Sequence, residues 1–82
     1  MVTLTRIKKI NNIVTAEYYP EDKKQDLGKI TYDIAKKEVI DKKYCNIDET
    51  SFLQSYFHKA VTGIEKCVNK NEYPETLRVM WY

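Results

Sequence analysis

A chain of 82 residues is too short for a second hydrophobic core. Its composition, 43% hydrophobic and 32% charged, is that of a small globular domain rather than a disordered chain. A formal net charge of +2 is weak evidence for any charged partner. Residues 1–10 lack the apolar run of a signal peptide, and no stretch approaches the roughly 20 apolar residues of a membrane span. We therefore predict one domain over residues 1–82 that is cytoplasmic and makes no membrane contact.

The first two apolar runs, residues 2–10 and 13–19, alternate in the manner of β-strands and flank an asparagine pair at residues 11–12. Asparagine tolerates the positive φ angles of a tight turn, so the two runs are predicted to form a hairpin. A two-residue turn places Arg6 opposite Glu17, which is a favourable cross-strand charge pair.

This register divides the hairpin into two faces. One face is predicted to meet a helix and carries Ile7, Val14, Ala16 and Tyr18. The other face carries Leu4, Arg6, Ile10, Ile13, Glu17 and Tyr19. We assign the first face to the core because it contains no charged pair that would have to be buried.

A charged connection over residues 20–26 leads to two further strands. Alternation resumes over residues 27–34, where Gly28 near the start indicates a bulge or a local twist. A turn at residues 35–37 precedes a fourth predicted strand over residues 38–43. The first four predicted strands therefore precede the helical segment.

The long segment with helical periodicity runs from Asp48 to Asn71. Its apolar stripe is wide enough to pack on a sheet and comprises Leu53, Tyr56, Phe57, Ala60, Ile64, Cys67 and Val68. Asn46 with Glu49 resembles a capping box, and Asp48 is an alternative cap. Gly63 costs a helix about 1 kcal/mol relative to alanine, which indicates the close approach of a neighbouring backbone.

Residues 75–82 alternate again, with Leu77, Val79 and Trp81 on one face, and form a fifth predicted strand. The element order β-β-β-β-α-β indicates an α+β domain, in which a mainly antiparallel sheet of about five strands carries one amphipathic helix on one face. The pattern does not indicate which strand pairs with the last one.

One helix covers only one face of such a sheet. The uncovered face is predicted to keep Leu4, Ile10, Ile13, Tyr19, Met80 and Tyr82. Because monomers rarely expose a contiguous apolar patch beyond a few hundred Å², we predict that this face or an edge strand contacts another protein, most simply a second copy in a homodimer. In the alternative interpretation these residues are scattered and shielded by lysine and arginine stems.

No residue pattern indicates catalysis, a cofactor or a metal. His58 is the only histidine, and the helical wheel turns it to solvent without a nucleophile or carboxylate in reach. Gly28 and Gly63 are too few for a phosphate-binding loop, and two cysteines cannot form a four-cysteine metal site. We therefore predict a protein that is not an enzyme and binds no cofactor.

Lysines provide an alternative function, which is nucleic-acid binding. Lys59, Lys66 and Lys70 line one flank of the helix, and four lysine doublets lie elsewhere in the chain. Such a surface can follow a phosphate backbone. However, 12 acidic residues offset the 14 basic ones, and only Arg6 and Arg78 provide guanidinium groups. Protein contact therefore remains the first prediction.

Overall fold

The computed structural model describes residues 1–50 and 53–80, which form a five-stranded antiparallel sheet with a long helix on one face. The strands are β1 (Val2–Ile10), β2 (Ile13–Pro20), β3 (Gly28–Asp33), β4 (Glu38–Lys43) and β5 (Thr76–Val79). The helices are α1 (Asn46–Thr50) and α2 (Ser55–Lys70). The predicted α+β class is therefore confirmed.

The N-terminal hairpin forms as the asparagine pair predicts. Ile10 pairs with Ile13 across the turn, where Asn11 adopts a φ of 55°. The strand order is β4-β3-β2-β1-β5, so β3 and β4 extend the sheet beyond β2 while β5 joins β1 on the other side. The pairing that the sequence left open, that of the last strand, is therefore with β1.

A bulge in β1 changes the face that the first half of this strand presents. The register shifts between Thr5 and Lys8, and Arg6 adopts a φ of 52° at this point. This left-handed conformation costs a non-glycine residue roughly 1–2 kcal/mol. The extra residue reverses the alternation, so Leu4 pairs with Tyr18 on the helix side of the sheet. The prediction that placed Leu4 on the helix-free face assumed an unbroken register and is wrong.

The core lies between α2 and the sheet. The sheet contributes alternate residues of β1, β2 and β3, namely Val2, Leu4, Ile7, Val14, Ala16, Tyr18, Ile30 and Tyr32. The helix contributes residues at helical spacing, namely Phe57, Ala60, Ile64 and Cys67. Burial of one large aliphatic side chain contributes roughly 1.5–3 kcal/mol, so this interface dominates the stability of the domain. Every described sheet residue that the sequence assigned to the helix side is buried or packs on this core.

The predicted single helix from Asp48 onward is two helices. Residues 51–52 lie outside the described ranges, and Gln54 adopts a left-handed φ of 43° immediately before α2 begins. Leu53, which was predicted on the buried stripe, is 65% exposed because it lies in this break. At the other end Asn71 adopts a left-handed φ of 54° and ends α2.

A buried carboxylate in α1 caps the start of α2. Asp48 accepts the backbone N–H groups of Tyr56 at 3.2 Å and Phe57 at 2.7 Å. It also accepts the Tyr18 hydroxyl at 2.8 Å, and the oxygen of that hydroxyl accepts the backbone N–H of Cys45 at 3.1 Å. Because a helix N-terminus carries partial positive charge, the carboxylate favours a helix start at this point. A tertiary contact therefore fixes where α2 begins.

Candidate protein-contact surface

The helix-free face keeps only part of its predicted apolar set. Leu4 is fully buried on the opposite side of the sheet, and Tyr82 lies outside the described residues. Ile10 and Ile13 pair with each other beside the hairpin turn, where 68% of Ile10 is exposed. The structure therefore brings two isoleucines of the set together at one end of the sheet.

Two other members of the set, Tyr19 and Met80, lie toward the opposite end. Tyr19 pairs with Thr3, and Met80, which is 63% exposed, directly follows β5. At about 3.3 Å per strand residue, Tyr19 lies roughly 20 Å along β2 from Ile13. The two ends of the face therefore do not form one contiguous apolar patch.

Polar side chains occupy the centre of the helix-free face. Arg6 and Glu17 form an ion pair, with Nη1 and Oε1 2.8 Å apart, although the bulge places Thr5 rather than the predicted Arg6 opposite Glu17. Such an exposed pair contributes at most about 1 kcal/mol. The pair borders a shallow depression of about 310 Å³, which is also lined by Lys8, Thr15, Lys29 and Thr31. This centre is polar and charged, and it separates the two apolar ends.

The edge formed by β4 is protected against an added strand. Its register with β3 shifts at Ile40, which has no cross-strand partner. The remaining residues of β4 are mostly charged, namely Glu38, Asp41, Lys42 and Lys43. Bulges and charged side chains, lysine above all, are features that discourage edge-to-edge pairing.

The edge formed by β5 has fewer protective features. Its four residues pair with β1 in an unbroken antiparallel register, from Thr76 opposite Thr5 to Val79 opposite Val2. β5 contains no lysine and no register shift, and no other described strand pairs with its outer side. Only its brevity and the charge of Arg78 oppose pairing. Among the described residues, no strand therefore occupies the outer backbone N–H and C=O groups of β5.

Gly63 allows α2 to lie close to this edge. A methyl group at Gly63 would stand 2.8 Å from Leu4 Cδ1, 2.8 Å from Val79 Cγ2 and 3.6 Å from Leu77 Cδ2. The predicted close approach at this glycine is confirmed, but the neighbours are side chains of β1 and β5 rather than backbone. One side of α2 consequently runs along β5.

A groove lies between the C-terminal half of α2 and β5. Its volume is about 140 Å³, and it is lined by Lys66, Cys67, Lys70, Glu72, Pro74 and Leu77. Cys67 is only 5% exposed, and this burial raises the pKa of its thiol above 9.0. Its side chain is therefore neutral near pH 7 and serves as a small apolar surface together with Leu77.

The lysine flank of the helix borders this groove. Lys66 and Lys70 line the groove directly. Lys59 lies one turn before Gly63, so it shares the side of α2 that meets β5. All three lysine side chains are exposed. The structure thus places the three predicted lysines in one row along the β5 side of the helix.

The lysine doublets do not continue this row. They lie in β1, in the loop after β2, in the turn after β3 and in β4, as Lys8-Lys9, Lys23-Lys24, Lys36-Lys37 and Lys42-Lys43. Successive strand residues point to opposite faces, so a doublet in a strand divides its charge between the two faces. The Nζ atoms of Lys9 and Lys42 stand 5.9 Å and 5.4 Å from the ring centroids of Tyr73 and Tyr44.

Residues 1–50 and 53–80 provide neither a metal site nor a membrane-spanning helix. These ranges contain no cluster of side chains that could hold a metal ion. They also contain no helix that is both long and apolar enough to cross a bilayer. His58 is exposed on α2, as predicted, and Cys45 and Cys67 carry unpaired thiols.

Sequence reasoning missed the groove although it identified several of its parts. Lys66 and Lys70 were placed on one helix flank, and Gly63 was recognised as a point of close approach. The alternation also predicts Leu77 in the core, but it does not specify the position of the last strand in the sheet. A glycine within one turn of exposed lysines was the signal that a strand packs beside this flank.

The fold and the surface define a small α+β domain with an open edge strand beside a basic groove. The chain matches no protein-family model, no curated protein and no solved structure.

Proposed function

We propose that this protein is not an enzyme and acts by binding another protein, which adds a β-strand to the outer edge of β5. The observation that carries the proposal is the contrast between the two edges of the sheet. β4 has a register shift and charged residues, whereas β5 pairs regularly with β1 and lies beside a groove. In strand addition, backbone hydrogen bonds supply affinity, and pockets beside the edge select side chains.

The edge is better suited to this role than the helix-free face. On that face Ile10 and Ile13 are separated from Tyr19 by a polar centre. An apolar partner surface that covered this face would also bury the Arg6–Glu17 ion pair. Burying an exposed ion pair costs free energy that the two small apolar ends would have to offset. At the β5 edge, the groups that no described strand pairs with are backbone groups, which a partner strand satisfies directly.

The contact is expected to be weak and reversible. β5 has four residues, so an added strand gains few backbone hydrogen bonds. The groove of about 140 Å³ provides one additional anchoring point. Interfaces of this small size are typical of transient complexes.

A second copy of this chain fits the β5 edge less well than a different protein. If two β5 strands paired about a twofold axis, the two helices would lie on the same face beside the seam. The lysine flanks that contain Lys59, Lys66 and Lys70 would then approach each other, and like charges across an interface are unfavourable. The predicted homodimer is thus the second choice of occupant.

The unpaired thiols of Cys45 and Cys67 support a cytoplasmic location for the complex.

Nucleic-acid binding has less support than protein binding. A nucleic-acid surface needs a continuous basic track, and bases are commonly held by aromatic stacking. The row of three lysines is short, the doublets lie elsewhere, and none of the described residues that line the groove is aromatic.

Selection of extended peptides from a random library, followed by amide hydrogen exchange of the complex, tests this function. Selected peptides are expected to slow the exchange of amides within residues 76–79 and to leave residues 38–43 unchanged. The β4 edge thereby serves as an internal control, because it is an edge of the same sheet with protective features. Protection confined to Ile10, Ile13 and Tyr19 would overturn the edge proposal in favour of the helix-free face.

The oligomeric state of the protein alone separates the two occupants. Sedimentation equilibrium with reducing agent at low and high salt is expected to show a monomer. A dimer that persists at high salt and protects residues 76–79 would make a second copy the occupant of the edge. A dimer in which these amides exchange as fast as in the monomer would show that the dimer interface does not include β5.

A further inference from the structure

We infer that the partner strand is acidic and aliphatic, with two carboxylates that flank one aliphatic side chain on the side facing α2. This inference rests on the proposed strand addition at β5 and specifies the chemistry of the occupant. It follows from the row of lysines along the edge, the size of the groove and the alternation of side chains in a strand.

The basic side chains near the β5 edge are arranged along its length. Lys66 and Lys70 border the groove near Leu77, and Gly63 contacts both Leu77 and Val79. The C-terminal turns of α2 therefore lie near the start of β5. Lys59, which precedes Gly63 by one turn, continues the row toward the end of the strand.

Acidic residues are fewer on this side of the helix. Glu65 lines a different depression on the other flank, together with Tyr32 and Lys37. Glu72 is the acidic residue that lines the groove, and Glu75 precedes β5. In the lining of the groove, Lys66 and Lys70 outnumber the one carboxylate, that of Glu72. A partner that brings carboxylates to this edge is electrostatically complementary to it.

The groove fits one aliphatic side chain. Its volume of about 140 Å³ is well below the roughly 300–1,000 Å³ of sites that enclose drug-sized ligands or cofactors. Its apolar lining comes from Cys67, Pro74 and Leu77, and its charged lining comes from Lys66, Lys70 and Glu72. A side chain that fills it buries apolar surface while its neighbours remain within reach of the two ammonium groups.

Strand geometry converts these contacts into a sequence pattern. Successive side chains of an added strand point to opposite faces, so only alternate residues face α2. Leu77 lies on the helix side of β5, whereas Arg78 pairs with Thr3 and lies on the other side. The aliphatic residue and the two carboxylates that reach the lysines must therefore be two residues apart. The expected pattern is acid, any residue, aliphatic, any residue, acid.

Synthetic peptides of about seven residues, slightly longer than a minimal strand, test this pattern. One probe carries glutamate, leucine and glutamate at alternate positions, with threonine between them. Two others replace both glutamates by glutamine or by lysine. A fourth moves the glutamates next to the leucine, so that they point to the opposite face. A fifth has N-methylated backbone amides and cannot pair as a strand.

Binding is followed by NMR shifts of amides within residues 76–79 and by their exchange rates. The acidic probe is expected to bind about five-fold tighter than the glutamine probe at low salt, because each exposed ion pair contributes modestly. High salt is expected to remove most of this difference. The lysine, rearranged and N-methylated probes are expected to bind more weakly than the acidic one.

Charge-reversed variants locate the carboxylate contacts. Lys66→Glu with Lys70→Glu is expected to abolish the preference for the acidic probe. Lys24→Glu with Lys36→Glu changes the net charge equally but lies in loops away from β5, so the preference is expected to remain. Equal effects of both double variants would overturn the local contacts in favour of overall charge.

The outcomes distinguish the partner chemistry from strand addition itself. If the glutamine probe protects residues 76–79 as well as the acidic probe does, strand addition stands and the acidic partner is overturned. If no probe protects these amides, both proposals are overturned. A single-stranded oligonucleotide that shifts Lys59, Lys66 and Lys70 and displaces the acidic probe would assign the lysine row to nucleic acid.

Discussion

At the scale of single residues, Tyr18 connects several elements of the fold. Its hydroxyl donates to Asp48 and accepts from the backbone N–H of Cys45. Its ring lies against Gly28 and meets the ring of Phe57 at an interplanar angle of 60°, with centroids 6.2 Å apart. One fully buried side chain therefore connects β2 to β3, to the segment before α1 and to the start of α2.

Replacement of Tyr18 by phenylalanine is expected to lower the free energy of unfolding by about 3 kcal/mol. The change leaves the buried N–H of Cys45 without an acceptor and removes one donor from Asp48, and each lost partner costs roughly 1–3 kcal/mol. Urea unfolding measures the difference. Tyr19→Phe is the matched control, because Tyr19 is only half-buried, and its loss is expected to stay below about 0.5 kcal/mol. Similar losses for the two variants would show that the hydroxyl network contributes little.

Gly28 gives a second prediction at this scale. A methyl group here would stand 2.6 Å from Tyr18 Cζ and 2.7 Å from the backbone oxygen of Lys43. Tyr18 cannot turn away without breaking its hydrogen bonds, so Gly28→Ala is expected to destabilise the domain by roughly 2–3 kcal/mol. Thermal unfolding of this variant beside the wild type measures the effect. An unchanged midpoint would contradict the close packing of the Tyr18 ring on Gly28.

At the scale of elements, local patterns predicted the strands well because alternation is a property of a few consecutive residues. They failed at Arg6 because one extra residue reverses the alternation, and nothing in residues 2–10 marks where it falls. They also failed at Gln54, because apolar residues continue at helical spacing through the break between α1 and α2. That break depends on Asp48, which forms its hydrogen bonds only in the folded chain.

The candidate surface was predictable only in part. Helical periodicity alone places Lys59, Lys66 and Lys70 on one flank. The groove also requires β5 to lie beside β1, and no local pattern specifies the neighbour of a strand that follows a helix. Gly63 was the one residue whose cost to the helix indicated a close neighbour on this side.

Gly63→Ala tests how closely α2 packs against β5. Alanine gains about 1 kcal/mol of helix propensity, whereas crowding a packed interface costs roughly 1–3 kcal/mol. The new methyl group would meet Leu4 and Val79 at 2.8 Å, so we expect a net loss of about 1 kcal/mol and faster amide exchange in β5. Combining it with Val79→Ala makes room for the methyl group. The double variant is therefore expected to lose less stability than the sum of the two single variants. Strict additivity would contradict the contact.

At the scale of the whole molecule, buried thiols and phenols are distributed through one small core. Burial raises the pKa of both cysteine thiols above their ordinary value of 9.0. Burial likewise raises the pKa of four tyrosines above 10.0, namely Tyr18, Tyr32, Tyr56 and Tyr73. At Tyr18 the nearby Asp48 carboxylate adds to this effect, while the hydrogen bond from Cys45 opposes it. The folded state therefore retains protons that the unfolded chain releases in alkaline solution.

This difference in pKa predicts that the domain loses stability in alkali. Groups with raised pKa contribute their full stability below the pKa of the unfolded chain, and they lose it as pH rises toward the folded value. The decline is therefore expected to begin near pH 9, where cysteines ionise in the unfolded chain, and to steepen above pH 10, where tyrosines ionise. Urea unfolding at several pH values between about 7 and 11, with reducing agent present, measures the slope.

Tyr18→Phe removes the phenol whose pKa is raised most strongly. The stability of this variant is therefore expected to fall less steeply above pH 10 than that of the wild type, although the variant is less stable at neutral pH. A slope identical to that of the wild type would show that Tyr18 ionises in the folded domain as readily as in the unfolded chain, contrary to its buried hydrogen bond with Asp48.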